Sequence, residues 1–372
     1  MKRVLVLSMC GAVVAAAGLR ADQPATPRAP VPQAARPRAV TMSAEMRQKL
    51  TASLERGAAY LKQQQHADGT WENHPGVAGM AASALLRIPG RHDAELKTVE
   101  KTLTYLRSLA KPDGGIYDKD IPHYITAVSM MTFTAAGLPQ DKPLIEKGRR
   151  YLAEHLLDEG EGVKKDDKFY GGLGYGGTSD GGRADIISLE YGLRAMKEGG
   201  LGEKDAAWDK AILFLQRTQN SEANDQPWAA KDGGFIYYPG YSQAGETRSY
   251  GSATYAGIMS YIWSNVKKDD RRVKAVLKWV RDNYTVDENP GIGQKTVYYY
   301  YMVFAKAQAM GQPVIVDAKG VSHNWREDLG AKLLSLQHPE GYWVNPVPDE
   351  MQDNKVLVTT FTMMAIEAAL QN

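Results

Sequence analysis

The sequence predicts an all-α fold: an α/α toroid in which six helical hairpins build an outer and an inner ring within one domain, residues 43–372. Three observations predict it. A short motif recurs six times, successive helices alternate between amphipathic and apolar all round, and no apolar run has the length of an interior strand.

The first hairpin carries the clearest copy, Arg56-Gly57-Ala58-Ala59-Tyr60-Leu61 followed by Gln65, Gly69 and Trp71. The sixth repeats its second half, with Leu333, Gln337, Gly341 and Trp343 at the same offsets. Weaker copies lie between them. Thr104-Tyr105-Leu106 leads to Asp113-Gly114-Gly115, and Tyr151-Leu152 leads to Gly171-Gly172. Leu213-Phe214-Leu215 with Gln219 leads to Asp232-Gly233-Gly234, and Leu277-Lys278-Trp279 leads to Asn289-Pro290-Gly291. In each, a first helix shows apolar residues at helical spacing, as in Val99, Leu103, Leu106 and Leu109. A Gly-rich turn then ends that helix, since glycine adopts the left-handed backbone without steric cost.

The second helices read differently. They span residues 77–86, 125–136, 186–196, 252–262, 297–310 and 358–370, and they are apolar or small on all sides. Such a helix is buried, so the second helices are expected to form the inner ring and the first helices the outer one. Strand-like runs such as 234–238 and 313–316 are short, bounded by Gly or Pro, and belong to connections. An open solenoid needs atypical polar end repeats, whereas here the terminal repeats carry the strongest motifs, which favours closure.

The remaining sequence bounds the setting. Lys2 and Arg3 precede an apolar run from Val4 to Leu19, and Ala21 offers a cleavage point, so residues 1–21 read as a signal peptide. Residues 22–42, dense in Pro, Ala and Arg, read as a flexible linker. A periplasmic or secreted protein is therefore expected, without a stable membrane span after cleavage. Cys10 is the single cysteine and falls within the signal. With it removed, no disulfide, thiolate metal site or cysteine nucleophile remains. A net charge of +2 gives no strong field, which argues against a nucleic-acid partner.

The Arg56–Trp71 segment resembles the basic-Gly, aromatic-Leu, Gln, Gly-x-Trp motif of squalene–hopene and oxidosqualene cyclases. The chain is similar to the squalene–hopene cyclase and prenyltransferase repeat family over Leu50–Asn372. The resemblance implies an α/α toroid with a ligand in its central cavity and, for a catalytic member, chemistry of the isomerase or lyase class. Gln65 and Trp71 are then expected to clamp the turn. The family's protonating Asp-x-Asp-Asp finds its best counterpart in Asp185-Ile186-Ile187-Ser188, where one Asp remains. The zinc cysteine of protein prenyltransferases has no counterpart either.

Candidate chemistry then comes from the starts of the inner helices, which converge at one mouth of the ring. Asp180, Asp185 and His123 are the acid/base candidates, with Arg183, Arg248, Tyr250, Tyr298 and Tyr124 as ligand-binding candidates. His74, Lys295 and Lys355 complete that rim. Of Tyr298-Tyr299-Tyr300-Tyr301, at least one is expected to face the cavity. No motif argues for a metal or a cofactor; the Gly-rich loop 170–182 follows no strand and reads as a lid. The expected ligand is small or polymeric. An apolar isoprenoid-like molecule leads, and a carbohydrate-active toroid or a non-catalytic envelope scaffold is the alternative. Nothing in the sequence fixes the oligomeric state.

Overall fold

The computed structural model describes residues 41–177, 183–311, 315–347, 351 and 353–371. The signal peptide, all but the last two linker residues, and Asp180 lie outside the described residues.

Among the described residues, six outer and six inner helical elements alternate along the chain. The outer ones are α1 (Ala44–Gln64), α3 (His92–Thr98) continued by α4 (Glu100–Ser108), α6 (Lys142–Glu154), α8 (Ala206–Thr218), α10 (Arg271–Asp282) and α12 (Trp325–Leu336). The inner ones are α2 (Pro75–Leu86), α5 (Pro122–Ala136), α7 (Ile186–Glu198), α9 (Gly251–Trp263), α11 (Val297–Gly311) and α13 (Lys355–Leu370). A two-residue strand, β1 (Ile315–Val316), pairs antiparallel with β2 (Ser322–His323) in the connection before α12.

Composition explains which helix goes where. Every residue of α2 is buried, whereas α10 buries Val276, Trp279 and Val280 on one stripe. Each inner helix packs on the next, in the order α2, α5, α7, α9, α11, α13, and α13 returns to α2. The ring is closed. Among the described residues, no helix is long and apolar enough to cross a membrane.

The repeated motif is the joint between neighbours. Gln65 Nε2 bonds the carbonyls of Gly69, in its own turn, and Thr98, in the next outer element, both at 3.3 Å. Gln219 does the same with Gly233 and Arg272 at 2.9 Å. Gln337 bonds Gly341 and, across the seam, Ser53 of α1 at 2.9 Å. Trp71 and Trp343, both fully buried, donate their indole N–H to Leu61 and Leu333 at 2.8 Å. The motif's leucine is thus read through its carbonyl as well as its side chain. Gly341 sits at φ +96°, where a Cβ would lie 2.5 Å from the Arg56 carbonyl oxygen of α1. The last hairpin therefore docks on the first through the same contact that Gly69, Gly114, Gly171 and Gly233 make with the next outer helix.

Further seam contacts fix both chain ends. The Ser43 amide donates to Glu327 at 2.5 Å, and Arg47 to the Leu370 carbonyl at 2.7 Å. Ser43 also caps α1 by accepting from the Met46 amide.

Candidate functional site

All six inner helices begin at the same mouth, and their first turns surround a cavity of about 430 Å³. Val77 of α2, Tyr124 of α5, Ile187 and Tyr191 of α7, Ser252 of α9, Tyr299 of α11, and Leu357 and Phe361 of α13 form its wall. The connecting loops add His74, Ile121, Tyr175, Tyr237, Gln243, Tyr250, Thr296 and Met351. Among the described residues, no Asp, Glu, Lys or Arg lines it.

One arc of the wall is continuous aromatic surface. Tyr175 meets Tyr124 at 6.0 Å between ring centroids, and Tyr124 meets Tyr191 edge-on at 5.1 Å. Tyr191 stacks with Tyr299 at 6.5 Å, and Tyr299 meets Phe361 edge-on at 5.7 Å. Burial pushes the Tyr124 phenol up to about 12, and holds Tyr191 and Tyr299 well above the ordinary tyrosine value. All three hydroxyls are neutral at pH 7. His74 is the N-cap of α2: its Nδ1 accepts from the amides of Gly76 and Val77 at 3.1 and 3.3 Å. Accepting there leaves the proton on Nε2, and burial holds the imidazole below its ordinary value, so it stays neutral.

Beneath this aromatic wall lies a buried charged network. Arg194 donates to Glu198 at 2.8 Å, and Arg87, the C-cap of α2, donates to the other Glu198 oxygen at 3.0 Å. Burial opposes ionisation of Glu198, but the two guanidiniums hold its carboxyl down at about 2. Glu190 accepts from the Trp263 indole at 3.2 Å, and burial raises its carboxyl above the ordinary value. Glu367, with one oxygen lacking a partner, is pushed up to about 8 by burial. Burial and Arg194 hold the Lys306 amine well below the ordinary lysine range.

The sequence candidates distribute unevenly around this geometry. Tyr124 and Tyr250 line the cavity. Of the four successive tyrosines it is Tyr299 that faces it. Tyr298 packs edge-on against Tyr301 at 5.7 Å, while Tyr300 and Tyr301 donate to the Thr285 and Val286 carbonyls at 2.7 and 3.0 Å. Four residues at 100° steps point to four sides of a helix, and a one-residue offset changes which side meets the cavity.

Asp185 caps α7, accepting from the amides of Ile187 and Ser188 and from the Ser188 hydroxyl at 2.9, 2.9 and 2.7 Å. His123 is turned toward α6, its Nδ1 3.1 Å from the Gly174 carbonyl and its ring beside Tyr151 and His155. Arg183 lies over the Tyr238 ring at 5.4 Å, and Arg248 turns back on the Ala244 carbonyl. None of these four is among the cavity-lining residues. Sequence reasoning missed Glu190, Arg194, Lys306 and Glu367, although isolated charges in helices otherwise apolar were the available signal.

Comparison with known proteins agrees with the architecture. A type II terpene cyclase from Scytonema, solved with its product merosterolic acid A, superposes with a TM-score of 0.58 at 13% identity, covering 88% of this chain and 99% of the cyclase. The fold is a terpenoid-cyclase-like α/α toroid. The same cyclase, solved with its substrate geranylgeranyl dihydroxybenzoate, gives 0.57 at 13% identity, over 88% and 99%. A polysaccharide lyase gives 0.56 at 10% identity, over 87% of this chain and 97% of the lyase. No family model and no curated protein sequence matches the chain. At such identities the likeness speaks for the fold, and function has to be argued from the site.

Proposed function

We propose that this chain is a terpene-cyclase-like protein that binds an apolar, isoprenoid-like ligand in its central cavity. The observation that carries the reading is the wall. It is built from tyrosines, Phe361 and aliphatic side chains, and among the described residues it carries no charged group. Apolar walls with a few fixed polar groups favour a ligand that gains by leaving water, at about 0.8 kcal/mol per buried methylene. A glycosidase would instead place two carboxyl groups across the substrate. A lyase acting on uronic acids would have to meet the sugar's charge. Among the described residues, the lining offers neither feature.

Among the described residues, the polar groups available to such a ligand are neutral: the His74 imidazole, the tyrosine hydroxyls, and the side chains of Gln243, Ser252 and Thr296. They suit a hydroxyl or carbonyl on an apolar skeleton better than a diphosphate. Asp185, the residue matching the first Asp of the family's acid motif, spends its carboxylate on capping α7. Binding is therefore the core of the proposal, together with export by the N-terminal signal.

Titration with geranylgeraniol, followed by tyrosine and tryptophan fluorescence, tests it. Binding that saturates at one equivalent and is lost in Ile187→Trp, which fills the cavity from α7, supports the reading. Cleavage of a uronic-acid polymer with no isoprenoid binding sinks it.

A further inference from the structure

A second cavity of about 390 Å³ lies between α9, α10 and α11, under β1, and shares no residue with the central one. Its long side is the stripe Val273, Val276, Leu277 and Val280 of α10. That stripe follows the i, i+3, i+4, i+7 spacing and runs for about 10 Å along the helix. The floor comes from α9 and α11, and two of its polar side chains are paired with neighbours. The Tyr261 hydroxyl donates to Gln219 at 2.8 Å, and the Gln308 amide donates to the Tyr255 hydroxyl at 3.3 Å. The slot therefore presents mainly hydrocarbon to its occupant.

The rim is different. Lys268, just before α10, and Arg281, in its last turn, stand at opposite ends of the stripe, and both line the slot. Neither side chain has a hydrogen-bond or ion-pair partner among the described residues. A 12-residue helix that buries its stripe over a hollow leaves that stripe without the contacts that core packing normally supplies. Met310 and Val316 at the mouth are 43% and 44% exposed, which extends the apolar surface outward.

We propose that this slot is a binding site for a free, single-tailed amphiphile with an anionic head, of the fatty-acid class. The tail lies along Val273–Val280 of α10, and the head pairs with Lys268 or Arg281. Apolar walls select the tail, and the two unpaired cations select the sign of the head. The site is independent of the central-cavity reading and stands or falls separately.

Calorimetric titration of the full chain with dodecanoate, dodecan-1-ol and phosphatidylglycerol vesicles tests it. Dodecanoate is expected to bind at least fivefold more tightly than the alcohol. Leu277→Trp, which fills the slot from a half-buried position, removes that binding while Ile187→Trp leaves it intact. Lys268→Glu and Arg281→Glu change exposed rim positions without touching the core, and at least one of them abolishes the preference for the carboxylate. Unchanged dodecanoate binding in Leu277→Trp overturns the proposal. So does equal binding of acid and alcohol, or binding to vesicles without binding to monomeric dodecanoate.

Discussion

Removing the clamp at the ring's seam, with Gln337→Ala, separates a closed toroid from an open array of hairpins. The Gln337 amide donates to the Ser53 and Gly341 carbonyls at 2.9 Å, and its oxygen accepts from the Ser53 hydroxyl at 2.8 Å and from Arg56. Ser53 is fully buried, so its carbonyl cannot turn to water when the amide goes. At about 0.5–1.5 kcal/mol net per bond, with the Arg56 contact exposed and weak, the loss is about 2–4 kcal/mol. That is a large share of the roughly 5–15 kcal/mol that holds a domain together. Urea unfolding should show a lower midpoint with an unchanged slope. Hydrogen exchange should speed up in α1 and α13, on both sides of the seam, as well as in α12. Gln219→Ala, at an internal joint, should cost a similar amount. A loss under about 0.5 kcal/mol, or faster exchange confined to α12, would refute the closed-ring argument.

Other consequences follow from the same geometry. Gly341→Ala should destabilise by well over the ~1 kcal/mol of a left-handed alanine, because its Cβ would strike the Arg56 carbonyl. Gly90→Ala, at φ +74° with nothing within 4 Å, should cost only about that ~1 kcal/mol, and thermal melts of the pair show the difference. Glu367 has its folded value raised to about 8 from 4.5, so the native state holds a proton that the unfolded chain releases. Its favourable contribution is present below pH 4.5 and is lost as pH rises through 8, and Glu367→Gln should flatten that fall, by about 5 kcal/mol at most. Arg194→Met leaves buried Glu190 and Glu198 short of a cation and should cost about 3–5 kcal/mol in denaturant unfolding.

The sequence made the ring readable because the repeat is a joint. The offsets Leu–Gln–Gly–Trp in hairpins one and six exist because one indole, one amide and one left-handed turn must meet the next outer helix. Those constraints leave the same residues wherever they apply in full. The cavity was legible in part. Helix starts told where the mouth would be, and Tyr124 and Tyr250 were found there. The charged residues were not resolved by that rule. Asp185 sits at the mouth, but an N-cap directs its carboxylate at its own helix's amides. Arg183 and Arg248 occupy loops whose backbone and rings hold them outside the lining. Position along a helix axis can be read from sequence, whereas direction around it shifts by 100° per residue, which is why Tyr299 stands where Tyr298 was expected.

An apolar ligand in the tyrosine-walled cavity would be seen by native mass spectrometry of the protein purified without detergent or added lipid. A bound hydrophobic molecule is expected at one per chain in the native sequence and absent from Ile187→Trp. An empty cavity in both proteins, with no isoprenoid alcohol taken up from solution by either, would contradict it.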